Sequence, residues 1–376
     1  MDALDAFAGG YSSLLADRAL QKRLPLSGTF ELLPLCNMRC RMCYIVHENA
    51  GVISRTIKDV DYWSDLMDQA IDAGMLYALI TGGEPFVYPG IRQLLERVNQ
   101  KPIHLALNTN GTLLDRETVQ WLKQTYPGRL NISLYGGSNE TYGRLCKNPK
   151  GFDQVTNAFG LLNEYHIPFR VHTTLTPDNI GDYDRIIDVC NDYQAPLQMV
   201  YYMFPPYRKD QGMIPNDGRF SPEEAAEVAI RILRSKNPDP RQRRMLLEAN
   251  CACMDQPERY SLYGNGGIAC RGGFSSFWVD WRGKISGCGI HTAEQIDLAQ
   301  VPFKDAWQQI VASSEATRIS GKCQYCKYRN ICPSCVAAAF CETGDIAGTP
   351  TYLCEFSEHY AALLRKELEE MRKQDG

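Results

Sequence analysis

Three cysteines, Cys36, Cys40 and Cys43, stand in a C-x3-C-x2-C spacing just after the strand-like run Thr29-Phe-Glu-Leu-Leu33. Three thiolates on one short loop can hold three irons of a [4Fe-4S] cubane, leaving the fourth iron open to a small ligand. C-x2-C loops also serve zinc or thiol redox chemistry, and this loop by itself leaves those readings open. A second stretch with chemical use is Thr81-Gly-Gly-Glu-Pro85. Its glycines let the backbone approach a ligand, and Glu84 offers an acceptor suited to an ammonium. Ten of the fifteen cysteines lie from Cys251 onward. Among them, Cys323-x2-Cys326 and Cys332-x2-Cys335 would supply the four thiolates of a zinc ribbon on spacing alone.

The cysteine loop, the aromatic Tyr44 after it and the Gly82-Gly83-Glu84-Pro85 element together resemble the radical S-adenosylmethionine (AdoMet) superfamily. The resemblance implies that the open iron chelates the amino and carboxylate groups of AdoMet. One electron from the cluster then cleaves the sulfonium to a 5′-deoxyadenosyl radical, which abstracts a substrate hydrogen. Carried onto this chain, it implies that Cys36, Cys40 and Cys43 ligate the cluster and that Gly82, Gly83, Glu84 and Pro85 receive the AdoMet amino group. Ser133 is implied to contact the ribose, and Asn108, Arg170 and Thr173 are further pocket candidates. His172 reads as a satisfied structural histidine.

The C-terminal pattern, Cys270-x12-Gly283-x4-Cys288 followed by Cys323, Cys326, Cys332, Cys335 and Cys354, is similar to the SPASM extension of that superfamily, which carries two auxiliary [4Fe-4S] clusters. The resemblance implies an outer cluster on Cys323, Cys326, Cys332 and Cys354 and an inner one on Cys270, Cys288 and Cys335. Two residues rather than three separate Cys332 from Cys335, so Cys341 is a rival to Cys335. The fourth inner ligand is Cys253 or Cys251, with Cys253 preferred, or else the inner cluster keeps an open iron for substrate. Three [4Fe-4S] clusters and AdoMet are therefore the expected cofactors.

Such relatives oxidise or crosslink ribosomal peptides, and that is the expected activity. Alternatives are oxidation of a small molecule or a sulfatase residue, or a metal-binding interaction protein without catalysis. Gly289 stands where sulfatase-maturing relatives carry an aspartate base, which argues against that chemistry. No general base is identified; Tyr201, Tyr202, Arg208, Lys209 and Asp210 lie where a substrate loop is expected. The 28 residues before the first strand are too few for a peptide-recognition domain, so leader recognition is expected to be either absent or supplied by a separate recognition protein. An electron donor such as flavodoxin or ferredoxin is expected as well.

These residues need a scaffold that brings loops to one end. Apolar strands alternate with amphipathic helices: Trp63, Leu66, Met67, Ala70 and Ile71 mark one helix face, and strands are expected at 76–80, 103–107, 130–134, 169–174 and 197–202. The fold expected is α/β, a partial (β/α)6 TIM-like barrel with its chemistry at the carboxyl ends of the strands, followed by a small cysteine-rich SPASM domain. The expected divisions are an N-terminal extension (1–28), the barrel (29–206), a helix and linker (207–250), the SPASM domain (251–356) and a C-terminal capping helix (357–376). A net charge of −4 gives no field favouring a phosphate backbone, so nucleic acid is not an expected partner. Neither a signal peptide nor a membrane-spanning run is legible, and the expected compartment is the cytoplasm, where clustered thiols stay reduced.

Overall fold

The computed structural model describes residues 10–45, 57–125, 128–203, 218–256, 267, 270–291, 294–333 and 335–374. The chain forms two compact units. The described residues of Met1–Val200 and Arg271–Ser314 make one, and those of Tyr201–Pro205, Ile214–Cys270 and Glu315–Gly376 make the other. Residues 251–356, read as one domain from the sequence, are thus shared between the two.

In the first unit, six strands, β1 (Ser27–Glu31), β2 (Tyr77–Thr81), β3 (His104–Thr109), β4 (Arg129–Ser133), β5 (Phe169–Thr174) and β6 (Leu197–Val200), pair in parallel and in sequence order. This is the partial (β/α)6 barrel that the alternation of elements predicts. Three further strands, β7 (Ser276–Val279), β8 (Lys284–Ser286) and β9 (Ile296–Asp297), extend the same sheet beyond β1. β7 runs parallel to β1, while β8 and β9 are antiparallel. The strand order is linear, so the barrel does not close.

Side chains alternate across the sheet, and the two faces differ in kind. One face carries Phe30, Ile80, Leu107, Ile132 and Val171, all buried. Helices pack on it: Phe30 meets Trp63 of helix Val60–Asp72 edge to face, and Phe169 stacks on Phe159 of helix Gly151–Glu164. The other face is polar toward the strands' carboxyl ends, with Glu31, Thr81, Asn108, Asn131, Ser133, Arg170 and His172, and this is the barrel interior. Helix Gly10–Lys22 presents Ala16 and Ala19 to Leu26, Tyr77, Leu79 and Ala106, sealing the interior near the strands' amino ends. The expected amphipathic preface is thereby part of the barrel unit.

Several expected elements shift or were missed. The first strand begins two residues earlier than read, because Ser27 and Gly28 already pair with β2 and β7, and it ends before Pro34, which cannot continue a ladder. The short helix Asn139–Cys146 was not anticipated; Ser138 caps it by accepting from Thr141 N. The stretch read as a linker up to residue 250 is helical from Pro240 to Asp255, with Asp239 as cap and Pro240 in the first turn. Helix Pro222–Lys236 opens with the expected Ser221 cap, here completed to a capping box by Glu224. Helix Thr351–Gln374 is central rather than a cap: Ala361, Leu364, Leu368 and Met371 share a core with Ile230, Leu247, Cys251 and Met254.

Candidate active site

Cys36, Cys40 and Cys43 are each half-buried on an irregular loop beyond β1. The loop is held at its centre, where Arg39 N and Arg41 N donate to the last carbonyls of helix Asn139–Cys146, Cys146 O and Leu145 O, both at 3.0 Å. Arg41 also pairs with Asp178 at 2.9 Å. The helix that sequence reasoning overlooked is therefore what pins the cysteine loop; the Ser138 cap with Glu140 in the first turn was the available signal.

Beyond β2, Gly83 N donates to Leu33 O and Glu84 N to Leu35 O, both at 2.8 Å. The two loops lie backbone on backbone. A Cβ at Gly83 would sit 2.1 Å from Leu35 O, and one at Gly82, where φ is +152°, would sit 2.8 Å from Leu33 O. The glycines are thus required first by the cysteine loop itself, independently of any ligand's approach.

Glu84 is fully buried. Its Oε1 accepts from Thr109 Oγ1 at 2.7 Å and from Phe86 N at 3.1 Å, and its Oε2 accepts from Asn110 N at 2.7 Å. Three of the four lone-pair positions of the carboxylate are filled, so Glu84 works as a bracket tying the end of β2 to the end of β3. Burial pushes its carboxyl up to about 7, against those three bonds, which favour the charged form.

Asn110, not singled out in the sequence, reaches the cysteines. Its Nδ2 donates to Asn37 Oδ1 at 2.8 Å and approaches Cys36 Sγ at 3.6 Å, while its Oδ1 accepts from Thr112 N and Oγ1. The Asn108-Thr-Asn-Gly111 turn was the signal. Asn108 faces the interior one position lower and accepts from Asn131 Nδ2 at 2.9 Å. Ser133 is at the end of β4, opposite His172 of β5, and Arg170 is opposite Asn131. Thr173 points into the helix-covered face; it is buried with its Oγ1 unpaired, away from the interior that the pocket reading required.

Donor type and placement fit a cluster with one open iron. Cys36 is raised to about 12 by burial in the metal-free chain, and nearby Glu84, Cys40 and Cys43 push the same way, which places the three thiols on one locus. Among the described residues, no three Cys, His, Asp or Glu lie close enough to share a single metal ion.

In the second unit, burial raises Cys332 to about 11, and the nearby thiols of Cys354, Cys323 and Cys326 push the same way. Cys335 caps helix Val336–Thr343, whereas Cys341 is buried within that helix. Cys251 is enclosed in the apolar core, and Cys253 is half-buried on the same helix. Cys253, Cys270 and Cys335 belong to the second unit and Cys288 to the first. Tyr201 and Tyr202 follow β6, with Tyr201 against Phe356; Arg208, Lys209 and Asp210 lie outside the described residues. Gly289 packs under Trp278, whose indole donates to Glu31 at 3.0 Å, and Asp280 is buried against Arg282. Among the described residues, no helix is long and apolar enough to cross a membrane.

Comparison with known proteins agrees with this architecture. Residues 30–190 match the family described as the Radical SAM superfamily. The chain is 24% identical over 337 residues to the AdoMet-dependent heme synthase of Methanosarcina barkeri, covering 84% of this chain and 92% of that one. It is 32% identical over 176 residues to the subtilosin biosynthesis protein AlbA of Bacillus subtilis, covering 46% of this chain and 38% of AlbA. The structure of Streptococcus suis SuiB bound to its precursor peptide SuiA superposes with a TM-score of 0.68 at 18% identity, over 92% of this chain and 80% of SuiB. With the thiol loop, the Gly-Gly-Glu bracket and the six parallel strands, the family match shows that residues 30–190 form a radical SAM domain, which makes the chain an enzyme of that superfamily.

Proposed function

We propose that the enzyme oxidatively modifies a ribosomally made peptide, removing hydrogen from one residue so that a crosslink or an oxidised side chain forms. AdoMet and a reduced [4Fe-4S] cluster on Cys36, Cys40 and Cys43 supply the hydrogen-abstracting radical when bound. The chain's own part is placement. The Gly82-Gly83 contact and the Glu84 bracket fix the edge that faces the thiol loop, and Ser133 and Asn108 line the interior where AdoMet is to lie. Cys323, Cys326, Cys332 and Cys354 hold one auxiliary cluster. That cluster, when bound, would take up the electron left by oxidation. A cytoplasmic flavodoxin or ferredoxin supplies the first electron, and a separate protein aids peptide recognition.

The observation that carries the peptide reading is the match over 92% of the chain to SuiB, a fold solved with its precursor peptide bound. A second reading, oxidation of a haem-type tetrapyrrole, is favoured by coverage: the relative named for haem synthesis aligns over 92% of its own length. One experiment separates them. Reduced, iron-reconstituted enzyme is incubated with AdoMet and either short peptides encoded beside its gene or an iron porphyrin bearing propionates, and both substrates are weighed by mass spectrometry. Loss of hydrogen from a peptide, dependent on AdoMet, supports the first reading. Mass loss from the porphyrin alone replaces it with the second.

A further inference from the structure

The interior face of β3 to β6 carries Arg170, which no carboxylate of the described residues pairs. Reading the register, its residues are His104, Ala106 and Asn108; Arg129, Asn131 and Ser133; Arg170, His172 and Thr174; and Gln198 and Val200. There is no acid among them. The interior acid on β1, Glu31, is engaged by the indole of Trp278. Among the described residues no carboxylate pairs with Arg170, and its like charge helps to lower Arg129 below the usual guanidinium range, after burial.

The polar atoms beside Arg170 are also unsatisfied. Asn131 is only 4% exposed; its Nδ2 is bonded to Asn108, and its Oδ1 has no partner. His172 Nε2 is sealed from solvent and has no partner either. A buried polar group left this way costs about 1–3 kcal/mol, so two such atoms beside an arginine that no carboxylate pairs point to an absent ligand. They are close together: Asn131 and Arg170 are directly opposite on strands about 4.8 Å apart, and Arg170 and His172 are two positions apart on one face, about 6.6 Å along the strand. The outward positions of β5, Phe169, Val171 and Thr173, are buried, whereas Arg170, His172 and Thr174 are partly open. The structural role first read for His172 does not account for its unpaired nitrogen.

We propose that Asn131, Arg170 and His172 form a substrate subsite for a carboxylate. Arg170 supplies the charge and a forked pair of donors. His172 supplies a hydrogen bond from Nε2, and Asn131 Oδ1 accepts an N–H or O–H beside the carboxylate. Burial, aided by Arg170, lowers His172 to about 4, so it serves as a neutral donor. The chemistry suits an acidic or C-terminal residue of a peptide and equally a tetrapyrrole propionate, so it holds for either substrate considered above. It rests on the barrel interior being where substrate binds; AdoMet-dependent mass change tests that reading separately, because probe binding needs no turnover.

The test uses ligand-observed NMR on the full-length, iron-reconstituted enzyme with AdoMet present. The probes are N-acetylglutamate against neutral N-acetylglutamine, and deuteroporphyrin IX against its dimethyl ester. The expected result is at least tenfold preference for the carboxylate form of one pair. That preference should be abolished in Arg170→Gln, reduced in His172→Leu and kept in Arg170→Lys, which guards against misfolding of the first variant. The tighter pair identifies the source of the carboxylate. Equal binding of acid and neutral probes, a preference that survives Arg170→Gln, or displacement of the probe by AdoMet would each overturn the proposal, the last by assigning the pocket to the AdoMet carboxylate.

Discussion

Replacing Gly83 by alanine should damage this enzyme far more than its one added carbon suggests. The new Cβ would lie 2.1 Å from Leu35 O, 2.4 Å from Leu35 C and 3.0 Å from Cys36 N, all backbone atoms that no rotamer change can move. The loops would have to part by roughly 1 Å, and overpacking of this kind costs about 1–3 kcal/mol. The same parting weakens the two 2.8 Å bonds, Gly83 N to Leu33 O and Glu84 N to Leu35 O, at about 1 kcal/mol each. The total, on the order of 3–5 kcal/mol, is a large part of an ordinary folding stability. A shift of about 1 Å at a reacting site also lowers rate by roughly 100-fold. Urea unfolding of the metal-free chain reads the first effect, and 5′-deoxyadenosine release by the reconstituted enzyme reads the second. Gly181→Ala is the control: its Cβ would meet nothing within 4 Å, so its stability should stay within about 1 kcal/mol of wild type. If Gly83→Ala matches that control in stability and keeps its rate within threefold, the two loops are not in the contact described.

Glu84→Gln should cost about 1–3 kcal/mol, because an amide NH2 would face a donor now bonded to the carboxylate; urea midpoints check this. In the second unit, Glu367 accepts from Arg234 Nε at 2.9 Å and from Nη2, which holds its carboxyl below the usual range. That stability is present above the unfolded value and lost as pH falls through the lower folded one. Glu367→Gln should therefore cost about 1–2 kcal/mol at pH 7, reduced by the exposure of Arg234, and converge with wild type in acid, as unfolding curves at several pH values would show. For His172 the folded value of about 4 lies below the ordinary 6.5, so its neutral form contributes stability that is lost between those pH values on acidification. The upper limit is on the order of 3 kcal/mol. His172→Gln should flatten that limb of the stability profile, and an unchanged slope would show that the side chain takes up protons freely.

The barrel was legible because its strands and helices differ in period and each helix has its stop. Trp63, Leu66, Met67 and Ala70 are buried on one helix as their spacing requires, while Ile71 is at its margin. β7 to β9 were not legible: three short segments among cysteines and glycines give too few residues for an alternation to declare itself, and their partner β1 is some 250 residues away in sequence. At the site, residue types were readable but directions were not. Gly83 and Glu84 stand out by type, yet their structural work, a close backbone contact and a three-bond bracket, depends on where β1 and β3 end. His172 was set aside because nothing in a sequence shows that a ring nitrogen lacks a partner.

If the loop of Cys36, Cys40 and Cys43 holds the radical-generating cluster, the chain cleaves AdoMet only with all three thiols in place. This dependence is tested most directly by measuring 5′-deoxyadenosine after dithionite reduction of the reconstituted enzyme with AdoMet, for wild type and for Cys36→Ala, Cys40→Ala and Cys43→Ala. Wild type should release it and the three variants should not, each keeping the iron of the proposed auxiliary clusters. No release from wild type of full iron content, or release undiminished in the variants, would contradict that role for the loop.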